Sequence, residues 1–325
     1  YSFNKIFLLD KNENDLVELN RELILLNKNK IKKTNFVCSD ITSLNLDKFL
    51  FSNKISQYFN FAAIKHVRSE EYLDSLKYMF KTNSESFCPR KKSHLKLFFS
   101  ISSDKAVLPQ SLLGISKFLM EKKLSHFAKK NKSIFVSTVR FANVCFSKGS
   151  YLKYAKERIE NKVSFGLPLN IKRFFITHDE AISLCLKSIL KKNKNKIIIP
   201  SSKLIKKDIK LERLVKAILN IYGYNIYFTN KILKVKPKYF PVIPNNTELE
   251  GQKNFEEFFD LKKEKPIKLI KDSVEVIALK KELNSNIKIK KLLNLNSKEK
   301  ITKYLEKEIS FFSKKKKFKI VSQII

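Results

Sequence analysis

Short apolar runs alternate with longer amphipathic stretches along the first two thirds of this 325-residue chain. The apolar runs predict strands at residues 5–9, 35–38, 57–62, 95–102 and 134–140. Between them, apolar residues recur with helical spacing at residues 13–26, 44–51, 70–83 and 112–130. Strands that alternate with helices are typical of an α/β fold with a parallel sheet, so we expect that fold class.

The pattern becomes less regular after residue 150, where shorter elements predict a small second α/β lobe. We expect helices at residues 151–161, 178–192 and 212–222, and strands at residues 196–200 and 226–228. Gly166 is assigned to a turn in this lobe. From residue 262 the sequence is rich in Lys and Glu with a helical pattern, which predicts a basic helical tail. The predicted units are residues 1–150, 151–261 and 262–325.

Polar residues follow each predicted strand of the first unit. In chain order they are Asp10, then Ser39 and Asp40, then Lys65 and His66, then Ser103, Asp104 and Lys105, and finally Asn143. Parallel sheets bind ligands at the carboxyl ends of their strands. We therefore expect these side chains to surround one site.

The chain carries a large positive charge, with 67 Lys and Arg against 31 Asp and Glu and a formal net charge of +36. Such a charge favours binding to nucleic acid or to an anionic membrane surface. The lysines are spread along the whole chain, however, and residues 314–317 are the main cluster. We interpret the charge as a lysine-rich background that attracts anionic substrates, and we expect no specific nucleic-acid partner.

The four cysteines are far apart and form no CxxC pair, so we expect buried thiols of a reducing compartment and no metal site. No uncharged apolar run approaches the length of about 18 residues that a membrane span needs. The sequence also shows no signal peptide. These observations predict a cytoplasmic protein without a membrane span.

Glycine is scarce, with five in the chain and none before residue 114. A dinucleotide-binding half sheet normally opens with a strand, a glycine-rich loop and a helix that together hold a pyrophosphate. This chain begins at Tyr1, without Met, on what we interpret as the second strand of such a sheet. We therefore expect a fragment or a trimmed chain that by itself binds a dinucleotide weakly.

Two acidic positions allow two interpretations each. Asp10 either binds the ribose hydroxyls of a dinucleotide or caps the helix that follows it. Asp40, followed by Ile41, either contacts an adenine or forms a plain turn.

Two longer motifs resemble a known family. FNFAAIKHV at residues 59–67 is similar to the HAAALKHV segment of capsular-polysaccharide dehydratases and epimerases, with Asn60 in place of His. FSISSDKAV at residues 99–107, followed by LGISK at residues 113–117, resembles the STDKAVNP…GATKR block of the same enzymes. Residues 113 and 117 are one helical turn apart, so we expect both to face the cleft.

Four shorter stretches continue the resemblance in the same order. Glu70, Tyr72 and Asn83 match the continuation of the first motif. The others are TVRFANV with SKGS, RFFITHDEA and LEGQKNFEE, at residues 138–144 with 147–150, 173–181 and 249–257. Over about residues 5–260, the chain thus resembles the short-chain dehydrogenase/reductase group that remodels nucleotide sugars, and within it UDP-N-acetylglucosamine 4,6-dehydratase.

The resemblance implies a Rossmann-type parallel sheet that lacks its first strand and glycine-rich loop, with a smaller C-terminal substrate lobe. On that basis we expect residues 5–9 and 95–102 to lie in one parallel sheet. The implied cofactor is NAD or NADP, and the implied substrate is a UDP-amino sugar. The implied role is that of a nucleotide-sugar 4,6-dehydratase in polysaccharide or capsule biosynthesis, acting as a homo-oligomer.

The resemblance also assigns roles to single residues. The implied catalytic residues are Asp104 as acid, Lys105 as base, and Ser103 and Lys117, which orient the substrate and cofactor. The implied cofactor-binding residues are Asp10, Asp40, Ile41, Ala62, Ala63, Lys65, Asn83 and Lys117. The implied substrate-binding residues are Lys65, His66, Asn143, Ser150, Arg173 and Glu256.

Leu113 departs from the family, because most members carry there a Tyr whose phenol exchanges a proton with the substrate. Membrane-anchored members carry Met at this place. Three alternatives to the dehydratase therefore stand: a catalytically degenerate relative, a C5-epimerising relative, and a basic nucleic-acid binder.

Overall fold

The computed structural model describes residues 4–26, 31–90, 94–190, 194–201, 209–245, 257–260, 262–265, 267–268, 274–278, 287–309 and 312. The strands are β1 (Ile6–Asp10), β2 (Thr34–Cys38), β3 (Gln57–Asn60), β4 (Leu97–Ser103), β5 (Phe135–Phe141), β6 (Asn143–Val144), β7 (Phe165–Pro168), β8 (Lys172–Arg173), β9 (Phe175–Ile176), β10 (Lys196–Pro200), β11 (Ile209–Lys210), β12 (Asn225–Phe228), β13 (Tyr239–Asn245), β14 (Ile267–Lys268) and β15 (Val274–Ala278).

The α-helices are α1 (Glu13–Leu26), α2 (Leu46–Ser52), α3 (Leu73–Phe80), α4 (Leu112–Lys130), α5 (Tyr151–Glu160), α6 (His178–Ser188), α7 (Leu211–Ile221), α8 (Ile289–Leu293) and α9 (Lys298–Glu308). The strands and helices predicted for the first unit are confirmed within a few residues, and the bounds of α1 and α4 coincide with the prediction. The helix predicted over residues 70–83 is instead divided into a 3-10 turn (Val67–Glu70), α3 and a π-helical turn (Lys81–Ser86).

The central sheet has six strands in the order β14-β15-β10-β5-β4-β3. The strands β3, β4, β5 and β10 run parallel to one another. At one edge, β15 pairs antiparallel with β10, and β14 pairs antiparallel with β15. Apolar side chains of β4, β5 and β10, such as Phe98, Val136 and Ile198, are fully buried in the largest core cluster. Near-continuous apolar strands of this kind are expected in parallel sheets covered on both faces.

Strands β1 and β2 form a separate parallel pair, so the expectation that residues 5–9 and 95–102 share one sheet is wrong. The orders β2-β1 and β3-β4-β5 correspond to strands 3-2 and 4-5-6 of a doubly wound sheet. In that arrangement strand 1 lies between the two groups, and no described strand pairs with the second edge of β1 or of β3. Contacts between side chains connect the pair to the rest of the first unit, as between Phe7 and Phe49 of α2.

The smaller lobe is built on the three-stranded sheet β12-β13-β7 with α5 and α7 packed against it. Gly166 lies within β7, so its assignment to a turn is wrong. Strand β13 was not predicted, because two Pro interrupt its sequence YFPVIPN. It nevertheless pairs with β7 and β12 and places Phe240 and Val242 in the core of the lobe.

The segment predicted as a helical tail is part of the fold wherever the structure describes it. Strands β14 and β15 extend the central sheet, which the helical pattern did not predict. In α9, Ile301, Leu305 and the following Ile309 recur every four residues and are fully buried. They share a core cluster with Leu76 of α3 and Leu113 of α4. Among the described helices, none has the length and apolar character to cross a membrane.

Candidate functional site

Ser103, Asp104 and Lys105 lie together in a tight turn at the carboxyl end of β4. Ser103 precedes a 3-10 turn, and its hydroxyl oxygen accepts a hydrogen bond from the Lys105 N–H at 3.2 Å. The Asp104 carboxylate is buried, and its Oδ1 lies 3.4 Å from Lys105 Nζ. Three of the four residues predicted as catalytic thus lie together at the expected edge of the sheet.

Gly114 lets helix α4 approach this turn closely. A Cβ at position 114 would lie 2.6 Å from the Lys105 carbonyl oxygen and 2.9 Å from Pro109 Cβ. Such distances are shorter than packed atoms allow, so only glycine permits this contact. The glycine therefore fixes the position of Lys105 against α4.

Lys117 lies three residues further along α4 and is only 7% exposed. Its Nζ donates a hydrogen bond to the Ile101 carbonyl oxygen on β4 at 3.4 Å. Burial lowers the pKa of Lys117 to about 8; the Lys105 charge acts in the same direction and Glu121 opposes it. The ammonium groups of Lys105 and Lys117 are therefore electrostatically coupled within one site.

Leu113 does not face an open cleft, contrary to the expectation from its spacing with Lys117. It is 1% exposed and belongs to the core cluster that α8 and α9 complete. Its N–H donates to the buried Glu70 carboxylate at 2.9 Å. A helix period predicts which residues share a face, but distant segments decide what covers that face.

Asn83 holds the segment after β3 to helix α4. Its Oδ1 accepts from the Ile64 N–H and its Nδ2 donates to the Ile64 carbonyl, both at 2.9 Å. The same Nδ2 donates to Ser116 Oγ at 2.9 Å. The π-helical turn around Asn83 is a kind of distortion often found at functional sites. Asn83 thus positions Ala63 and Lys65, the neighbours of Ile64.

The segment after β3 lines an open cavity of about 350 Å³ together with the loop after β6. The lining residues are Ala63, Ile64, Lys65, His66, Ser69, Lys148 and Gly149. Burial lowers the pKa of Lys65. Burial also lowers the pKa of His66, and the charges of Lys65 and Arg68 add to this effect. Lys65 and Lys148 make the cavity wall positively charged, whereas the lowered pKa of His66 favours its neutral form.

The residues predicted to bind the adenosine end of a cofactor differ in exposure. Asp10 is exposed and accepts from the Asn12 N–H at 2.8 Å. Asp40 accepts from Tyr78 Oη at 2.6 Å and from the Thr42 N–H at 2.7 Å. Burial raises the pKa of Asp40, but these hydrogen bonds and the nearby Lys11 charge together lower it. Ile41 is buried in a small apolar cluster with Leu46 and Leu50 of α2.

The residues predicted to bind substrate are dispersed. Asn143 Nδ2 donates to the Phe174 carbonyl at 3.0 Å, across the β6–β9 pair. Ser150 caps α5 by accepting from the Lys153 N–H. Arg173 lies on β8, and its Nη1 donates to the Lys172 carbonyl at 2.7 Å. Glu256 lies outside the described residues.

Sequence reasoning missed a buried ionic network beneath the site. The Arg140 guanidinium on β5 binds the carboxylates of Glu121 on α4 and of Glu264, with all four N···O distances at 2.8 Å. Ser102 on β4 donates to Glu121 at 2.6 Å. An Arg in the otherwise uncharged strand β5 was the available signal, since charged residues are fully buried only when paired.

Comparison with known proteins identifies the family of this chain. The family profile described as "Polysaccharide biosynthesis protein" matches residues 1–238. An uncharacterized membrane protein of Methanocaldococcus jannaschii is 30% identical over 320 residues, which cover 94% of this chain and 88% of the relative. The capsular polysaccharide biosynthesis protein CapD of Staphylococcus aureus is 24% identical over 303 residues, which cover 90% of this chain but only 48% of CapD.

Solved structures confirm the fold class. Pen from Bacillus thuringiensis superposes with a TM-score of 0.61 at 17% identity, covering 95% of this chain and 91% of Pen. The dTDP-glucose 4,6-dehydratase DesIV from Streptomyces venezuelae, with NAD and TYD bound, superposes with a TM-score of 0.54 at 13% identity, covering 74% of this chain and 76% of DesIV. The family profile, which spans residues 1–238 of the 325-residue chain, shows that the chain belongs to the polysaccharide biosynthesis protein family.

Proposed function

We propose that this chain acts on a nucleotide sugar as an NAD(P)-dependent 4,6-dehydratase of the UDP-N-acetylglucosamine type, in polysaccharide biosynthesis. The observation that carries the proposal is the turn Ser103, Asp104 and Lys105, fixed by Gly114 against α4 and coupled to the buried Lys117. It joins an acid, a hydroxyl and two amines at the carboxyl edge of the sheet. Membership of the polysaccharide biosynthesis family and the likeness in fold to a sugar-nucleotide dehydratase support it.

The residues present suit the two ends of a nicotinamide dinucleotide. Ala62 and Ala63 lack long side chains and leave room for close approach at the carboxyl end of β3. Among the described residues, Lys117 donates one hydrogen bond, so its ammonium retains donors for ribose hydroxyls. Asp10 is exposed after β1, as a ribose-binding carboxylate requires. A bound nicotinamide would supply hydride transfer from C4 of the sugar and back to C6.

The residues of this chain would perform the proton transfers. Once C4 is a ketone, the proton on C5 is acidic. A proton that moves from the Lys105 ammonium to the Asp104 carboxylate, 3.4 Å away, leaves a neutral Lys105 amine that accepts the C5 proton. The C6–O bond then breaks, and the departing hydroxyl takes the proton that Asp104 holds and leaves as water. The Ser103 hydroxyl and Lys117 orient the C4 oxygen. Lys117, with its pKa of about 8, also exchanges protons readily near neutral pH.

A second candidate function is supported by Leu113. The buried leucine stands where a proton-transferring tyrosine is usual in the family, and its side chain is in the core. This observation favours a folded relative that binds nucleotides without converting the sugar. The two candidates differ only in turnover, which can be measured directly.

The test is release of a 4-keto-6-deoxy product from UDP-N-acetylglucosamine with NAD(P) present. It is run on the 325-residue chain and on the same chain preceded by a strand, glycine-rich turn and helix, because no described strand pairs with the second edge of β1 or of β3. We expect Asp104→Asn and Lys105→Ala to abolish turnover but not nucleotide binding. Lys156→Ala, on the surface of α5, is the control and should retain it.

Two outcomes would contradict the proposed dehydratase activity. If the extended chain binds NAD(P) tightly and no nucleotide sugar reacts, the non-catalytic alternative is correct. If Asp104→Asn and Lys105→Ala retain full turnover, the turn after β4 is not the catalytic centre.

A further inference from the structure

Lys148 connects three segments at the mouth of the cavity described above. Its Nζ binds both oxygens of the Asp15 carboxylate, at 2.7 and 2.8 Å. Its carbonyl oxygen accepts a hydrogen bond from Lys65 Nζ. We call the contacts among Lys148, Asp15 and Lys65 the Lys148 latch.

The latch spans the carboxyl ends of strands that belong to different sheets. Asp15 is in the first turn of α1, directly after β1, and Lys65 follows β3. Lys148 follows β6, which continues from β5. In a doubly wound fold, a nucleotide lies in the crevice at these carboxyl ends. A nucleotide in the crevice and the closed latch would therefore compete for the same space.

Gly149 holds the loop close to the cavity wall. It adopts a φ of +73°, and a Cβ there would lie 2.6 Å from His66 Nε2. The loop thus packs directly on the imidazole, and the Lys148 backbone remains within reach of Lys65. Only glycine allows both the backbone conformation and the contact.

The charges around the latch favour an anion. Lys65, His66 and Lys148 line the cavity, and the charges of Lys65 and Arg68 act on His66. Asp15, the carboxylate bound to Lys148, comes from the first turn of α1. This ion pair is solvated, with side-chain exposures of 72% for Lys148 and 47% for Asp15. Exposed pairs of this kind are weak, so a more highly charged anion can displace the carboxylate.

We propose that Lys148 and Lys65 bind the diphosphate of a nucleotide ligand, and that Asp15 competes with this diphosphate for Lys148. The proposal rests on the proposed function only in taking the ligand to be a nucleotide. Both a dinucleotide cofactor and a nucleotide sugar contain a diphosphate, and titrations with ADP-ribose and with UDP distinguish these two sources. Asp15 then acts as an internal competitor that keeps the latch closed until the nucleotide binds.

The experiment measures binding of inorganic pyrophosphate to the full chain by isothermal titration calorimetry at low ionic strength. We expect Lys148→Ala to weaken binding about tenfold, since it removes a charge-assisted contact. We expect Asp15→Asn to strengthen binding about two- to fivefold, the range of an exposed ion pair. Opposite signs for the two partners of this ion pair, without the same change for a control pair outside the cavity, are what competition for Lys148 predicts.

The chain offers a control in the Lys156–Glu160 pair of α5, which has an N···O contact of 2.8 Å and is also exposed, at 46% and 40%. Lys156→Ala and Glu160→Gln change the net charge by the same amounts but lie outside the cavity. They should leave pyrophosphate affinity unchanged. If they shift it as much as the latch variants do, the overall charge explains the binding and the proposal is wrong.

Two further outcomes would also overturn the proposal: an unchanged or weakened affinity in Asp15→Asn, or an unchanged affinity in Lys148→Ala. Repeating the titrations with UDP and with ADP-ribose identifies the source of the diphosphate, because only the correct nucleotide should show the same opposite signs. If neither nucleotide shows these opposite effects, the ligand is not a nucleotide. These measurements involve no sugar turnover, so the dehydratase can fail while the latch is confirmed, and the converse also holds.

Discussion

Arg140 and Glu264 lie 124 positions apart and form a bidentate ion pair, with Nη1 and Nη2 each 2.8 Å from one carboxylate oxygen. Nη1 also donates to the Phe258 carbonyl at 2.7 Å. Glu121 binds the other side of the same guanidinium. Burial lowers the pKa of Arg140, but the two carboxylates raise it above its ordinary value. The pair thus fastens the segment around residues 258–264 to β5 and α4.

Arg140→Met should lower the free energy of unfolding by about 3–5 kcal/mol, because it leaves two carboxylates buried without their partner. Arg140→Lys should restore little of this, since an ammonium cannot bind both carboxylates bidentately. Urea unfolding at neutral pH measures both. Arg21→Met on the surface of α1 is the control and should stay within about 0.5 kcal/mol of the unmodified chain. A loss below about 1 kcal/mol for Arg140→Met would contradict the network's structural role.

Because the pKa of Lys117 is lowered in the folded chain, the free energy of unfolding should increase as pH rises. Its pKa in the folded chain is about 8, against the usual 10.5, so between these values the unfolded chain holds a proton that the folded chain has lost. The free energy of unfolding therefore increases with pH across this window, and the gain disappears as pH falls through 8. Unfolding at pH 7.5 and pH 10 should show this increase relative to Lys117→Met. Lys130→Met, at the exposed end of α4, should retain this increase. If the free energy of unfolding changes equally with pH in both variants, Lys117 is not the cause of the increase.

Leu113→Tyr should destabilise the chain and should not raise turnover. The side chain is in a closed apolar cluster, so a larger residue overpacks it, at a cost of about 1–3 kcal/mol, and its hydroxyl is buried there. Leu113→Met conserves volume and should cost less than about 1.5 kcal/mol. Thermal unfolding compares the two. A Leu113→Tyr chain that is as stable as the original and turns over substrate faster would show that position 113 does reach the cleft.

Gly149→Ala should be more destabilising than Gly223→Ala. Both glycines have positive φ, +73° and +78°, so both substitutions strain the backbone by about 1–2 kcal/mol. At Gly223 nothing lies within 4 Å of the added Cβ, whereas at Gly149 it meets the His66 ring at 2.6 Å. The difference in unfolding free energy isolates the clash. His66→Ala combined with Gly149→Ala should abolish that difference; if the difference persists, His66 is not its cause.

The net charge of +36 should give only non-specific binding to nucleic acid. Affinity for a random duplex should be weak and should fall steeply with salt, as phosphate contacts release counterions. Fluorescence anisotropy with two duplexes of unrelated sequence tests this at two salt concentrations. Submicromolar binding that distinguishes the two duplexes near physiological salt would show that nucleic acid is a true partner.

Much of the site follows from the sequence, because a polar turn after an apolar strand can be recognised locally. Ser103, Asp104 and Lys105 were expected at the end of β4, and the structure places them there. The roles of Asn83 and Ser150 could not be read in the same way. Asn83 binds Ile64 and Ser116, and Ser150 caps α5. A side chain's polarity is visible in the sequence, but its hydrogen-bond partner is not.

The sequence by itself determined the type and order of most elements, since the periods of two and 3.6 residues depend only on near neighbours. For that reason α1 and α4 have the predicted bounds. Only the tertiary structure decided that α9 covers the cluster around Leu113, that β15 pairs with β10 in the central sheet, and that Lys148 binds Asp15. These contacts join segments more than about 70 residues apart in the chain, and no local period records which distant segments pack together.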